Sequence, residues 1–131
     1  GDWSSDVCSS DLRGLAALVT DLHDRGMLTD TLVVVATEFG RSPTINQALG
    51  RDHYPKAFSA ALFGGGVKGG FVYGATNERG EEVTANEMTI PDFNATLGYA
   101  LGLPVDEIVI SPEKRPFKLA DKGKPVTAVF A

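Results

Sequence analysis

Between positions 38 and 53 the sequence gathers five ionisable side chains: Glu38 and Arg41 in "TEFGR", then Arg51, Asp52 and His53 in "GRDHYP". Carboxylate oxygens and an imidazole nitrogen make part of a zinc-like or mixed divalent site. Glu38, Asp52 and His53 are therefore candidate ligands for a divalent metal such as zinc or calcium. Guanidinium groups bind tetrahedral dianions through paired N–H donors, which makes Arg41 and Arg51 candidate holders of a sulfate or phosphate group. By spacing alone the commoner outcome is a solvated loop, with Glu38 paired to Arg41 and Asp52 capping a turn.

A cluster of this kind does chemistry only if the elements around it hold it. Leu12, Leu15, Ala16, Val19 and Leu22 recur at helical spacing, with Arg13, Asp21, Asp24 and Arg25 on the other side, and Gly26 stands where a helix ends. The run Leu32 to Ala36 is unbroken and β-rich, which predicts a strand buried on both faces of a parallel sheet. Helix, short loop and buried strand make the α/β rhythm, and in open α/β sheets ligands gather beyond the carboxyl ends of strands, where "TEFGR" falls. Positions 40–57 have no sustained period. "FSAALFGGG" predicts a second buried strand, and "VKGGFVYGATNERGEEVT" a hairpin turning at "NERG". "TIPDFNATLGYALGLP" predicts a second helix, with Pro91 in its first turn, Asp92 at its positive end, and Leu97, Ala100 and Leu101 facing inward. Gly102 and Pro104 stop it, and two or three short β segments follow.

Other residues invite chemistry and have plainer readings. "FGGGVKGG" lacks the spacing of a phosphate-binding loop, so its glycines are expected to permit positive φ and close backbone approach. Lys68 is expected on a solvated hairpin, and His23 at the surface of the first helix. Tyr54 is expected to pack against its loop rather than gate a site. Thr37 is expected to bond the backbone at a strand end rather than act as a nucleophile.

The first residues differ in character from the rest. "GDWSSDVCSSDL" is polar, holds the only Cys and the only Trp, and has no secretory-signal pattern. Its codons resemble a sequencing adaptor translated in one frame. Residues 1–12 are therefore expected to be a disordered artefact, and residues 13–131 the C-terminal part of one domain whose N-terminal part lies upstream. Lys and Arg number 12 against 17 Asp and Glu, a formal charge of −5; setting aside Asp2, Asp6 and Asp11 leaves −2. Near-neutral charge gives no argument for nucleic acid, and no apolar run approaches the ~20 residues of a membrane-spanning helix. Without Cys8 the chain has no cysteine, which excludes disulfides and a thiol nucleophile.

"TLVVVATEFGRSPTIN", "GRDHYPKAFSAALFGGGVKGGFVYGATNERGEEV", "PDFNATLGYALGL" and "RPFKLADKGKPV" together resemble the family named domain of unknown function 1501, within the alkaline phosphatase and sulfatase superfamily. The resemblance covers most of residues 13–131. It implies the C-terminal part of an alkaline-phosphatase-like, doubly wound α/β sheet, with short antiparallel strands near the C-terminus. It also implies a metal-dependent hydrolase of small-molecule or carbohydrate sulfate or phosphate esters, exported from the cell. In that pattern Glu38 stands for a metal-binding Asp, Phe39 occupies a His place without being able to ligate, and His53, with Asp52 beside it, stands for a later ligand. Further ligands and the nucleophile are expected upstream, so this chain alone is expected to be inactive.

Phe39 keeps a second reading open: the fold without its catalysis, acting as a carbohydrate- or protein-binding module at the cell surface. A third expectation is that residues 13–131 do not fold alone, because a truncated sheet leaves an open edge.

Overall fold

The computed structural model describes residues 3–131, with side chains from Asp11 onward. Gly1 and Asp2, part of the stretch set apart above, lie outside the described residues. Helix α1 spans Trp3–Asp24 and so starts well before Leu12. Residues 3–11, expected to be disordered, are helical, since a helix once nucleated extends one hydrogen bond per residue. Leu15, Val19 and Leu22 form its half-buried stripe, while Leu12 and Ala16 are exposed. Gly26 ends the helix as expected: at φ 70° it brings its own N–H to the His23 carbonyl, and the Met27 N–H reaches Leu22.

Strand β1, Leu32–Val35, forms where the apolar run predicts it, but its pairing differs. It runs antiparallel to β4, Ala61–Gly64, with Leu32 opposite Gly64 and Val35 opposite Ala61. Between them lie β2, Gly40–Arg41, and β3, His53–Tyr54, a second antiparallel pair. The expectation of burial on both faces is corrected: Val34 and Val35 are 37% and 42% exposed, because β4 is β1's one partner among the described residues. All described strands pair in twos and antiparallel, so the fold is mixed α and β, and these residues assemble no wound parallel sheet.

The glycines after β4 serve the turn. Gly64, Gly65 and Gly66 all have positive φ, and a Cβ on Gly65 would lie 2.8 Å from the Leu32 side chain. The expected hairpin follows as β5, Ala75–Thr76, and β6, Val83–Ala85, closed by the Asn77 carboxamide accepting the Glu81 N–H. Helix α2, Ile90–Ala100, is capped by Thr89 and Asp92, each accepting from the other's backbone N–H, with Pro91 in the first turn. Its buried residues are Ala95, Thr96 and Gly98. Leu97 and Ala100 are half-buried, but Leu101 is exposed, which corrects its expected inward position: it is the C-cap, where the chain turns through Gly102.

The tail crosses back over α2. The Asp92 carboxylate accepts the Lys124 N–H, and the buried Thr96 hydroxyl donates to the Asp92 carbonyl while accepting the Val126 N–H. A Cβ on Gly123 would overlap the Pro91 carbonyl, so only glycine allows this approach. Beyond a short 3-10 helix, Thr127–Val129, the chain reaches the glycine turn. There Lys68 N–H donates to Val129, Ala131 N–H donates to Gly66, and the Lys68 ammonium takes the Ala128 carbonyl instead of lying free on a hairpin.

Little else is buried. The last strands, β7 (Ile108–Ile110) and β8 (Pro116–Lys118), pair only with each other among the described residues, and Ile108, Ile110 and Phe117 are exposed. The chain exposes 9864 Å², where a compact monomer of its 13.9 kDa would expose about 6,700 Å². No helix among the described residues is long and apolar enough to cross a membrane.

The α2–tail junction has an acid signature. The Lys124 N–H and then the Thr89 hydroxyl hold the Asp92 carboxyl below its ordinary value of 3.8. A carboxylate with a lowered folded pKa stabilises above its unfolded value, and that contribution disappears as pH falls through the folded one. In urea unfolding, the native chain should therefore lose more stability than Asp92→Asn on acidification below about pH 4. Equal losses in the two proteins would contradict this.

Candidate functional site

β1 delivers the chain to Thr37, whose hydroxyl donates to the Phe39 carbonyl at 2.9 Å, the strand-end bond expected of it. The β2/β3 ribbon then sets His53 opposite Arg41 and Tyr54 opposite Gly40. Side chains alternate along extended backbone, so Phe39 joins Arg41 and His53 on one side. The Phe39 and His53 rings stack with centroids 3.9 Å apart at 24°, and the Arg41 guanidinium carbon lies 5.6 Å from the Phe39 centroid. Each contact is worth on the order of 1 kcal/mol. Gly40 is required by a close approach: a Cβ there would lie 2.5 Å from the Ala57 carbonyl oxygen. The Tyr54 hydroxyl donates to the Glu81 carbonyl at 2.7 Å, so this ring ties the ribbon to the β5/β6 hairpin and does not gate a site.

Residues 42–52 form a loop braced from within. The Ser42 N–H continues the ribbon to the Asp52 carbonyl at 2.8 Å. The Asn46 carboxamide oxygen accepts the N–H groups of Ala48 and Gly50, and its amide donates to the Asp52 carboxylate at 2.8 Å. Arg51 donates to the carbonyls of Ser42, at 2.7 Å, and Pro43, while Arg41 donates to the carbonyl of Arg51 at 3.3 Å. The tip is Leu49, at φ 59° and 90% exposed.

The five sequence-predicted residues are all exposed, and they divide. Arg41 and His53 come together across the ribbon. Arg41 reaches the Arg51 backbone carbonyl, Arg51 the carbonyls of Ser42 and Pro43, and each guanidinium spends one nitrogen on these bonds while keeping other N–H donors. Asp52 turns toward Asn46 and away from the His53 stack, leaving one carboxylate oxygen without a partner among the described residues. Glu38 has no hydrogen bond or ion pair among the described residues, so the pairing with Arg41 offered by the plain loop reading does not form. His53 has neither ring nitrogen hydrogen-bonded among the described residues. Among the described residues no three His, Cys, Asp or Glu side chains converge, so Glu38, Asp52 and His53 form no assembled metal site there. His23 lies in the last turn of α1, exposed, as its spacing predicts.

Sequence reading missed two organisers. Asn46 holds the loop, and "NQALG" carried the signal: an Asn whose side chain can bond backbone two and four residues on, before a glycine. Phe39 was read as an absent ligand, and its partnership with His53 depends on a pairing across the ribbon that no local pattern encodes.

The sequence profile of the family described as protein of unknown function (DUF1501) matches residues 5–130. The chain belongs to that family. Neither the curated proteins nor the solved structures contain a match to it.

Arg51→Ala removes both clamps on the loop entry. Amide hydrogen exchange at Ser42 and Gly50 should accelerate several-fold, as expected for about 1 kcal/mol of lost hydrogen bonding. Unchanged exchange would show that Asn46 alone holds the loop.

Proposed function

We propose that this DUF1501 member supplies one edge of the active site of a metal-dependent hydrolase of sulfate or phosphate esters. His53 is the principal metal donor, with Glu38 as a further donor; Asp52, turned to Asn46, steadies the loop before His53, and Arg41 and Arg51 face the anion. A divalent ion such as zinc or calcium would activate the oxygen nucleophile and stabilise the leaving oxygen. The chain's own part is to hold an imidazole edge and two guanidinium groups in register on one braced ribbon. The observation that carries the reading is His53: an exposed imidazole, stacked on Phe39, with both nitrogens unengaged among the described residues. The apolar surface left exposed on β1, β7 and β8 supports the further proposal that upstream chain completes the domain, the remaining ligands and the nucleophile. The wound alkaline-phosphatase-like sheet belongs to that completed domain, and export of the whole protein to the periplasm or beyond goes with the same reading.

The Phe39 stack favours one alternative, a non-catalytic carbohydrate- or protein-binding module. An aromatic ring stands where the family resemblance places a ligand, and the arginines are partly committed to backbone.

Metal content separates the two. The protein completed with its upstream chain and purified without added metal should carry bound zinc, calcium or a similar ion, and His53→Ala should lose most of it. No metal in either protein would contradict the hydrolase reading and favour the binding module.

A further inference from the structure

We infer that the outer edge of β7 pairs with the same edge of a second copy of the chain, antiparallel about Val109, so that two hairpins make one four-stranded sheet. This pairing is independent of any chemistry at His53.

The hairpin's own hydrogen bonds decide which edge is open. The Ser111 N–H donates to the Arg115 carbonyl, and the register sets Val109 opposite Phe117. Bonded and non-bonded pairs alternate along an antiparallel ladder. Val109 and Phe117 therefore turn their backbone groups toward each other, while Ile108 and Ile110 turn theirs outward. On β8 the outward positions are Pro116 and Lys118. Pro116 has no N–H, and the Lys118 carbonyl already accepts the Asp121 N–H at 3.2 Å, so this edge is closed. The β7 edge has no such closure. Neither Ile108 nor Ile110 is hydrogen-bonded outside the hairpin among the described residues, and the two are 64% and 59% exposed.

This edge matches itself. "EIVIS" set against an antiparallel copy puts Ile108 opposite Ile110, Val109 on the two-fold axis and Glu107 opposite Ser111. Both Ile–Ile pairs fall where backbone groups point outward, so four N–H···O=C bonds form without a shift of register. β-Branched pairs are favourable across strands, and no charge along this stretch meets its like. A two-fold contact requires a self-complementary patch of this kind, and once it closes only the blunted β8 edges remain. One face of the resulting sheet carries Val109 and Phe117 of both copies, which are 39% and 48% exposed in the single chain.

The surface area agrees. The chain exposes about 3,200 Å² more than a compact monomer of its mass, whereas a stable pair needs roughly 800 Å² from each partner. Two strands alone are marginal in water, and four strands with an apolar face are not. An apolar groove lined by Leu101, Leu103, Val105 and Leu119 adjoins the base of the hairpin and extends the surface. The open edge of β1 stays available to upstream chain.

Sedimentation equilibrium of the 131-residue chain should show a mass that rises with concentration to twice 13.9 kDa and stops there. Ile110→Pro removes an outward N–H without touching the hairpin's own bonds and should weaken association at least tenfold. Val109→Lys and Val109→Glu each place like charges face to face across the axis and should weaken it as much. An equimolar mixture of the Lys and Glu variants should regain the native mass. A native chain that stays monomeric across the micromolar range would overturn the proposal and leave the edge to upstream chain. Growth beyond the pair would contradict a closed two-fold contact. Association that survives Ile110→Pro and Val109→Lys would move it to another surface. If Ile110→Pro does not fold, the charge variants decide, since they alter no backbone group: loss in each without recovery in the mixture overturns the pairing about Val109.

Discussion

The constraint on which most of this structure depends is the polar junction between helix α2 and the tail. Thr96 is fully buried, and its hydroxyl both donates to the Asp92 carbonyl and accepts the Val126 N–H. A buried N–H left without a partner costs about 1–3 kcal/mol, so the tail has one favourable path across the helix. Asp92 takes the Lys124 N–H a turn earlier, and Gly123 permits the contact. From there the last residues reach Gly66 and Lys68, which fixes the glycine turn. That turn sets the end of β4, β4 sets β1, and β1 ends at Val35, two residues before Thr37 and shortly before the stack of Phe39 and His53. The candidate site is anchored through this path by backbone hydrogen bonds rather than by a large apolar core.

The scarcity of core is itself informative. The best-buried positions are small: among the described residues, Ala95, Ala120 and Val129 are the buried apolar ones. Leu, Ile and Phe side chains on β7, β8 and the α2 C-terminus stay at the surface, where a domain would normally cover them. The loop of residues 42–52 achieves order by another route, through side-chain bonds to its own backbone. Such a loop can present Arg41, Arg51 and His53 in fixed register while remaining fully open to a ligand or to further chain.

How much of this was legible follows the range of the interactions. Local signals were readable: the Gly26 stop, the Thr89–Asp92 start of α2, the "NERG" turn and the Thr37 strand-end bond all lie within a few residues of their cause. Strand positions were readable too, but pairing was not. The Leu32–Ala36 run is apolar enough for a strand buried on both faces, and nothing within it states that its partner is antiparallel and its other edge open. The ionisable cluster was found by composition, whereas its geometry was hidden. That Asp52 would turn to Asn46 and His53 to Phe39 depends on register across the ribbon, in which neighbours in sequence face opposite ways.

Whether His53 ligates metal, as proposed, is read out by zinc K-edge X-ray absorption. The zinc-loaded chain would carry His23→Gln, so that one imidazole remains. A donor role for His53 should give the outer-shell scattering of a single imidazole, with a Zn–N distance of about 2.0–2.1 Å beside oxygen ligands. A zinc ion surrounded by oxygen alone would contradict it.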